Sequence, residues 1–332
     1  KQALDAQTLG YTIALGTDEL RQGISDLYQR WYGIDLPASR IAVTQGASGA
    51  FALAFLTAFD AGDSVALATP GYPCYRNILN ALGLKSVEIM TGPETQYQPT
   101  VEALDALAEP IDGLIIASPS NPTGSMLSPE DFTAISDWCQ RNGVRLISDE
   151  IYHGLTYGTP ETTAAAVNPD AIVINSFSKY FSMTGWRVGW LAMPENMMRS
   201  LERLQGNMTI CTPAISQIAA LGALNATDEL DSLREGYRRN RTILRQALLD
   251  GGISEISSPD GAFYLYANVS HLTDDAVALC SRILDETGIA ITPGADFDTK
   301  RGQNFIRLSY CTDEASVQTA AKLLTRWLRD QH

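Results

Sequence analysis

The sequence predicts an α/β protein: a large domain with a mostly parallel seven-stranded sheet between helices, then a smaller C-terminal α/β domain. Up to about Met193 short β-like runs alternate with helical stretches, the pattern of a parallel sheet covered by helices. After Pro194 the character changes to long helices, and the last section mixes short β-like runs with a closing helix. At 332 residues the chain is long enough for two domains sharing a large core. The expected division is 1–227 and 228–332, with 1–16 as the remnant of an N-terminal arm.

In chain order, Thr17-Asp18-Glu19 reads as a helix start, with acidic side chains at the positive end of the dipole. Leu20, Ile24, Leu27 and Trp31 follow at helical spacing, and Gly33 can close the helix. The expected strands are Ile41–Val43, Ser64–Ala68, Ser86–Ile89, Gly113–Ala117, Arg145–Ser148, Ala171–Ile174 and Val188–Ala192. A helix over Asp228–Asp250 places Leu230, Leu233, Tyr237, Leu244 and Leu248 on one face, while Arg234, Arg238, Arg239 and Arg245 read as a solvated face. Strands are expected at Phe263–Val269, Ile289–Ile291 and Phe305–Tyr310, with a last helix from Thr312.

Composition excludes several classes. The hydrophobic content of 45% with 19% charged residues is ordinary for a globular protein. A formal charge of −14 argues against nucleic acid or anionic lipid as the main partner. No uninterrupted apolar run is long enough to span a membrane, and no signal-peptide pattern appears, so neither membrane nor nucleic acid is an expected partner. Cys74, Cys139, Cys211, Cys280 and Cys311 are scattered and odd in number, which reads as free thiols in a reducing cytoplasm. With only His153, His271 and His332, spacing offers no zinc site. The chain opens on Lys1, not methionine, so a segment upstream is expected.

The chemistry-bearing residues fall at strand ends, where ligands bind in such sheets. Ser176-Phe177-Ser178-Lys179 follows the apolar run Ala171–Ile174, with Gly185-Trp186-Arg187 a short turn away. A partly desolvated lysine amine is a nucleophile, and a planar arginine suits a phosphate; together they meet the needs of pyridoxal phosphate. Gly46-Ala47-Ser48-Gly49-Ala50 opens an apolar helical run, where small residues let backbone N–H groups approach a phosphate or merely form a tight turn. Asn121, between Pro119 and Pro122, is either a turn residue or a fixed donor to a ligand oxygen. Asp149 ends a buried apolar run and needs a partner there: a helix cap, or a protonated ring nitrogen.

Taken together, Tyr11-Thr12…Glu19-Leu20-Arg21, Asn121-Pro122-Thr123-Gly124, Asp149-Glu150-Ile151-Tyr152, Ser176-x-Ser178-Lys179, Gly185-Trp186-Arg187 and Phe305-Ile306-Arg307-Leu308-Ser309 resemble the motifs of the class I/II aminotransferases, fold-type-I pyridoxal-phosphate enzymes, over nearly the whole chain. The resemblance implies that Lys179 is the Schiff-base lysine and that Asp149 pairs with the cofactor's pyridine nitrogen. It implies that Asn121 and Tyr152 hydrogen-bond the phenolic oxygen, and that Tyr72 stacks on the ring. Ser176, Ser178 and Arg187, joined by Gly46, Ala47 and Ser48, fall among the cofactor contacts around the phosphate. Arg307, with Asn121, falls where the substrate α-carboxylate is held. Tyr11 resembles the tyrosine that reaches the phosphate of the neighbouring subunit, which implies a homodimer with shared sites.

The expected activity is therefore transfer of an amino group from an L-amino acid to a 2-oxo acid by a ping-pong mechanism. Two other outcomes share the constellation: a carbon–sulfur β-lyase and a ligand-sensing domain. Ser48 stands where some aspartate aminotransferases carry a lysine for a distal carboxylate, which disfavours a dicarboxylate by that device. Met183, Met208 and Ile210 are candidates for an apolar pocket or for core packing. Asp298, in Pro293-Gly294-Ala295-Asp296-Phe297-Asp298, stands where the family usually shows glycine.

Overall fold

Each of the seven strands expected before Met193 forms, within two residues of its expected ends. The computed structural model describes residues 2–6 and 9–331; Lys1, Gln7, Thr8 (and so part of the expected arm) and His332 lie outside the described residues. The strands are β1 (Ile41–Thr44), β2 (Ser64–Thr69), β3 (Lys85–Met90), β4 (Gly113–Ala117), β5 (Arg145–Asp149), β6 (Ile172–Ser176) and β7 (Gly189–Ala192), in the order β1-β7-β6-β5-β4-β2-β3. The ladders joining β2 to β6 are parallel, whereas β7 runs antiparallel to both of its neighbours.

Central strands of a parallel sheet are buried on both faces, so their side chains divide by alternation. Val173, Leu114, Ile116 and Leu146 pack on one side, with Leu20, Ile24, Phe132 and Ile135 from the helices Asp18–Tyr32 and Pro129–Asn142. Ile172, Ile174, Ile115 and Ile147 pack on the other, against Phe51, Phe55, Leu79 and Leu201 from the helices Gly46–Ala58, Pro73–Ala81 and Glu195–Met208. Each such side chain stabilises the fold by about 1.5–3 kcal/mol of apolar burial. The helix Asp18–Tyr32 has the expected ends: Thr17 Oγ1 accepts from the Leu20 amide, and Gly33 at φ +70° donates to the Gln29 carbonyl.

The smaller domain carries an antiparallel sheet of β8 (Tyr264–Asn268), β9 (Thr292–Pro293) and β10 (Phe305–Ser309), in the order β8-β10-β9. The helices Thr227–Asp250, Ala276–Thr287 and Glu314–Arg329 accompany it. Two expectations need correction here. Ile289–Ile291 is not a strand: the preceding helix ends at Gly288, the three residues carry the chain to the sheet, and pairing begins at Thr292, opposite Arg307. Leu233 sits at the margin of the apolar stripe and is 45% exposed, while Leu230, Leu244 and Leu248 are buried. The arginines of that helix do face outward, and Arg239 pairs with Glu314 at 2.9 Å. Asp313 caps the closing helix by accepting from the Ser316 amide.

Candidate active site

One end of the large sheet gathers the chemistry. Tyr72 follows β2, Asn121 follows β4, Asp149 ends β5, and Ser176 ends β6 just before Lys179. Because β7 runs backwards, with Gly189 opposite Ser176, Arg187, two residues before it, arrives at this same end. Between these residues lies a cavity of about 300 Å³. Ala47, Ser48, Tyr72, Asn121, Asp149, Tyr152, Ser178, Lys179, Arg187 and Arg307 all line it, as expected. A larger hollow of about 460 Å³ elsewhere is lined by Glu94, Glu102 and Asp131 with no cation, and offers no comparable chemistry.

At one pole the helix Gly46–Ala58 points its N-terminus at the cavity, where unpaired N–H groups favour an anion. Gly46 has φ +72°, and a Cβ there would lie 2.5 Å from Arg187 Nη2, so the glycine is what lets the guanidinium lie against the turn. Arg187 itself takes φ +51°, costly for a non-glycine residue, and Nη1 donates to the Thr184 carbonyl at 3.0 Å. Ser176 does not reach the cavity wall. Its hydroxyl lies 2.7 Å from Ser178 Oγ and donates to the Val188 carbonyl at 3.1 Å, so it stands behind Ser178.

At the floor Asp149 is 3% exposed. Its Oδ1 accepts from the Ile151 amide at 3.1 Å, and its Oδ2 accepts from the Tyr75 hydroxyl. Burial pushes its pKa up to about 6, against the pull of Tyr75 and the Ile151 N–H. No described cation lies within ion-pair distance of it, although Lys179, Arg187 and Arg307 line the same cavity. A protonated ring nitrogen fits that vacancy of charge, and the glycine-edged pole beside Arg187 fits a phosphate.

Lys179 lies across the cavity, its Nζ 5.7 Å from the centre of the Phe263 ring and 5.9 Å from that of Tyr152. Burial lowers its pKa below the ordinary lysine value, with Arg307 and Arg187 acting in the same sense. A larger fraction of such an amine is neutral, the form that attacks a carbonyl or accepts a proton.

Arg307 reaches in from β10. Ile306 and Leu308 turn into the small-domain core, and strand alternation sends Arg307 the other way. Its guanidinium lies between the rings of Tyr264 and Phe297, at 4.4 Å and 4.6 Å. Nη1 donates to Asn121 Oδ1 at 2.9 Å and Nη2 to Thr292 Oγ1 at 3.2 Å, while the buried Nε has no hydrogen-bond partner. A buried cationic N–H without an acceptor is costly, and a carboxylate would satisfy it. Asn121 spends its oxygen on Arg307 and keeps its amide hydrogens for a ligand.

The remaining expectations divide. Tyr152 shares a hydrogen bond of 2.9 Å with Tyr264 at the cavity wall. Tyr11 is 83% exposed and does not line its own chain's cavity. Met183 is buried in the core, Met208 and Ile210 are exposed, and none of the three lines the cavity. Sequence reasoning missed Tyr75, Tyr264, Phe297 and Thr292. Tyr75 had a readable signal, because it lies three residues after Tyr72 at the start of a proline-initiated helix, on the same face. The others come from small-domain segments whose approach to the large sheet no local pattern encodes.

Comparison with known proteins agrees with this geometry. The family described as "Aminotransferase class I and II" matches residues 1–324. The chain is similar to the valine–pyruvate aminotransferase of Mycobacterium tuberculosis, 49% identical over 99% of this chain and 86% of that protein. It is 33% identical to an aspartate aminotransferase of Streptomyces avermitilis, over 94% of this chain and 80% of the other. Among solved structures, an aminotransferase from Mycobacterium tuberculosis superposes with a TM-score of 0.97 at 49% identity, covering 99% of this chain and 86% of that one.

Proposed function

The chain belongs to the class I and II aminotransferases, and from that premise we propose that it moves an amino group from a small apolar L-amino acid to a 2-oxo acid, both substrates using the one site in turn. It is a pyridoxal-phosphate enzyme of fold type I. The observation that carries the substrate reading is the count of cations in the cavity. The lining holds three, Lys179, Arg187 and Arg307, and each has a role, which leaves none for a second substrate carboxylate. The similarity to a valine–pyruvate enzyme points the same way.

Bound pyridoxal phosphate supplies an electron sink that acidifies the substrate's α-hydrogen. This chain's residues do the rest. The turn Gly46-Ala47-Ser48, Ser178 and Arg187 bind the phosphate, with Ser176 placed to support Ser178. Asp149 would favour a proton on the ring nitrogen by charge pairing, and Asn121 and Tyr152 would be placed to donate to the ring oxygen. Tyr72 packs on the ring. Arg307 grips the α-carboxylate and so orients the α-hydrogen. Lys179 would hold the cofactor between turnovers, and its Nζ, when free, would take the proton from the substrate α-carbon as a base and then, as an acid, give it up at a second carbon on the cofactor side, so that the proton is moved and not lost.

Three further readings belong with this one. The enzyme works as a homodimer with shared sites, a reading supported by Tyr11, which is 83% exposed and free to reach a second subunit. Its place is the cytoplasm, which suits the five free cysteines. The division at 227/228 belongs to the same reading, one residue into the long helix that begins at Thr227. Visible absorption during stepwise addition of amino acids tests the activity. Bleaching by valine or alanine, reversed by a 2-oxo acid and without ammonia release, is the expected result. Ammonia release, or bleaching by aspartate alone, would overturn it.

A further inference from the structure

Asp298, the residue that stands where glycine was expected, is 2% exposed and belongs to the small-domain loop between β9 and β10, which touches the large domain. Its Oδ1 accepts from the amides of Lys300 and Arg301, both at 2.9 Å, and its Oδ2 accepts from Arg301 Nε at 2.8 Å. Held this way, Arg301 extends Nη2 across the domain boundary to the carbonyls of Thr69 at 3.1 Å and Thr91 at 2.9 Å. Thr69 ends β2, and Thr91 directly follows β3. A third crossing lies beside them, where the Gly71 amide donates to the Phe297 carbonyl at 3.1 Å.

Both ends of this arrangement stop at the active site. Phe297, next to Asp298, is one of the two rings that enclose the Arg307 guanidinium. Gly71 precedes Tyr72, a cavity wall. We propose that Asp298 and Arg301 are positioning residues: a latch between domains that fixes the Arg307 carboxylate grip relative to Tyr72 before substrate arrives. Arginine is needed because its planar fork can serve a carboxylate and two carbonyls at once. The shared geometry lowers the cost of ordering Arg307 when a substrate carboxylate binds. An additional ion pair, Lys300 Nζ to Glu88 at 3.1 Å, lies outside the latch and is solvent-screened.

The inference rests on Arg307 receiving the substrate carboxylate, so the test includes that residue. In the holoenzyme, Arg301→Met is expected to raise KM for the amino acid about tenfold, with kcat within about twofold. The cofactor's dissociation constant stays unchanged, and hydrogen exchange at the Gly71 amide speeds up. Asp298→Asn, which keeps an acceptor for the turn amides but loses the charge, gives a smaller shift in the same direction. Unchanged KM in both variants overturns the latch, as does an equal weakening of cofactor and substrate. Arg307→Met separates the two ideas. If it leaves KM unchanged, the reading of Arg307 falls and the latch with it; if it raises KM while Arg301→Met does not, the latch alone falls.

Discussion

The Tyr75 hydroxyl donates to Asp149 Oδ2, so the carboxylate at the cavity floor is hydrogen-bonded on both oxygens yet has no cation beside it. The pKa of Asp149 is raised from 3.8 to about 6 by burial. A raised carboxyl favours the fold when protonated: that contribution is full below about pH 4 and is lost as pH rises through about 6. In the cofactor-free protein, the stability of wild type relative to Asp149→Asn should therefore fall by about 2–2.5 kcal/mol between pH 4 and pH 7. Urea unfolding at both pH values checks this. A flat difference would mean that Asp149 is not charged at the cost its burial implies. Tyr75→Phe removes a contact that favours the charged form, and the fall should grow.

Gly46→Ala is a second test of the phosphate pole. The new methyl would meet Arg187 Nη2 at 2.5 Å, on a backbone at φ +72° that alanine resists. The guanidinium must swing away from the turn. Cofactor affinity should drop about tenfold to a hundredfold, a loss of about 1.5–3 kcal/mol as for a charge-assisted hydrogen bond. Equilibrium dialysis of pyridoxal phosphate reads it directly. Wild-type affinity would show that Arg187 is not held against that turn in solution.

Lys179→Ala should lower turnover at least about a thousandfold, because the base that moves the α-proton is gone. Tyr11→Ala should weaken cofactor binding if, as proposed, the side chain reaches the partner's site. At a cofactor concentration too low to load Tyr11→Ala, mixing the two proteins under exchange conditions gives hybrids in which one site has both residues. Activity should return to about a quarter of wild type if subunits share sites and mix at random. No recovery, with hybrids confirmed by mass spectrometry, would place Tyr11 outside the partner's site.

The sequence made the large sheet legible because a buried parallel strand is a local pattern: four or five apolar residues, then a polar residue at the strand end. Asp149 and Ser176 lie within β5 and β6 rather than beyond them, a difference of one or two residues. Asn121, Lys179 and Arg187 were readable for the same reason, since strand order carries them to one edge. The rings around Arg307 were not. Tyr264 and Phe297 are 43 and 10 residues from Arg307 in the chain and meet it only when β8 pairs with β10 and the loop after β9 folds back, all within the small domain. Ser176 misled in the other direction: its place in the motif was right, but its hydroxyl is turned to Val188 and Ser178.

The last prediction concerns His153, which the cavity does not include. Its Nε2 lies 2.9 Å from the Ser118 carbonyl, and a carbonyl can only accept, so Nε2 carries a proton. Nδ1 lies 2.5 Å from the Tyr32 hydroxyl and 3.6 Å from Glu150 Oε2, a buried oxygen with no hydrogen-bond partner. Glu150 Oε1 is held by Ser148 Oγ at 2.9 Å and the Ala164 amide at 2.8 Å. Ser118 begins the loop that presents Asn121, so the histidine ties that loop to the segment following Asp149. His153→Phe fills the space but leaves the Ser118 carbonyl and the Tyr32 hydroxyl unpaired. The cost should be about 2–4 kcal/mol of stability, about 1–2 for each buried group left unsatisfied. Because Asn121 also holds Arg307, KM for the amino acid should rise with it. His153→Gln keeps a donor for Ser118 and should recover part of both. Thermal unfolding and steady-state kinetics on the two variants decide the matter: if phenylalanine and glutamine behave alike, the hydrogen bond to Ser118 is not what the histidine contributes.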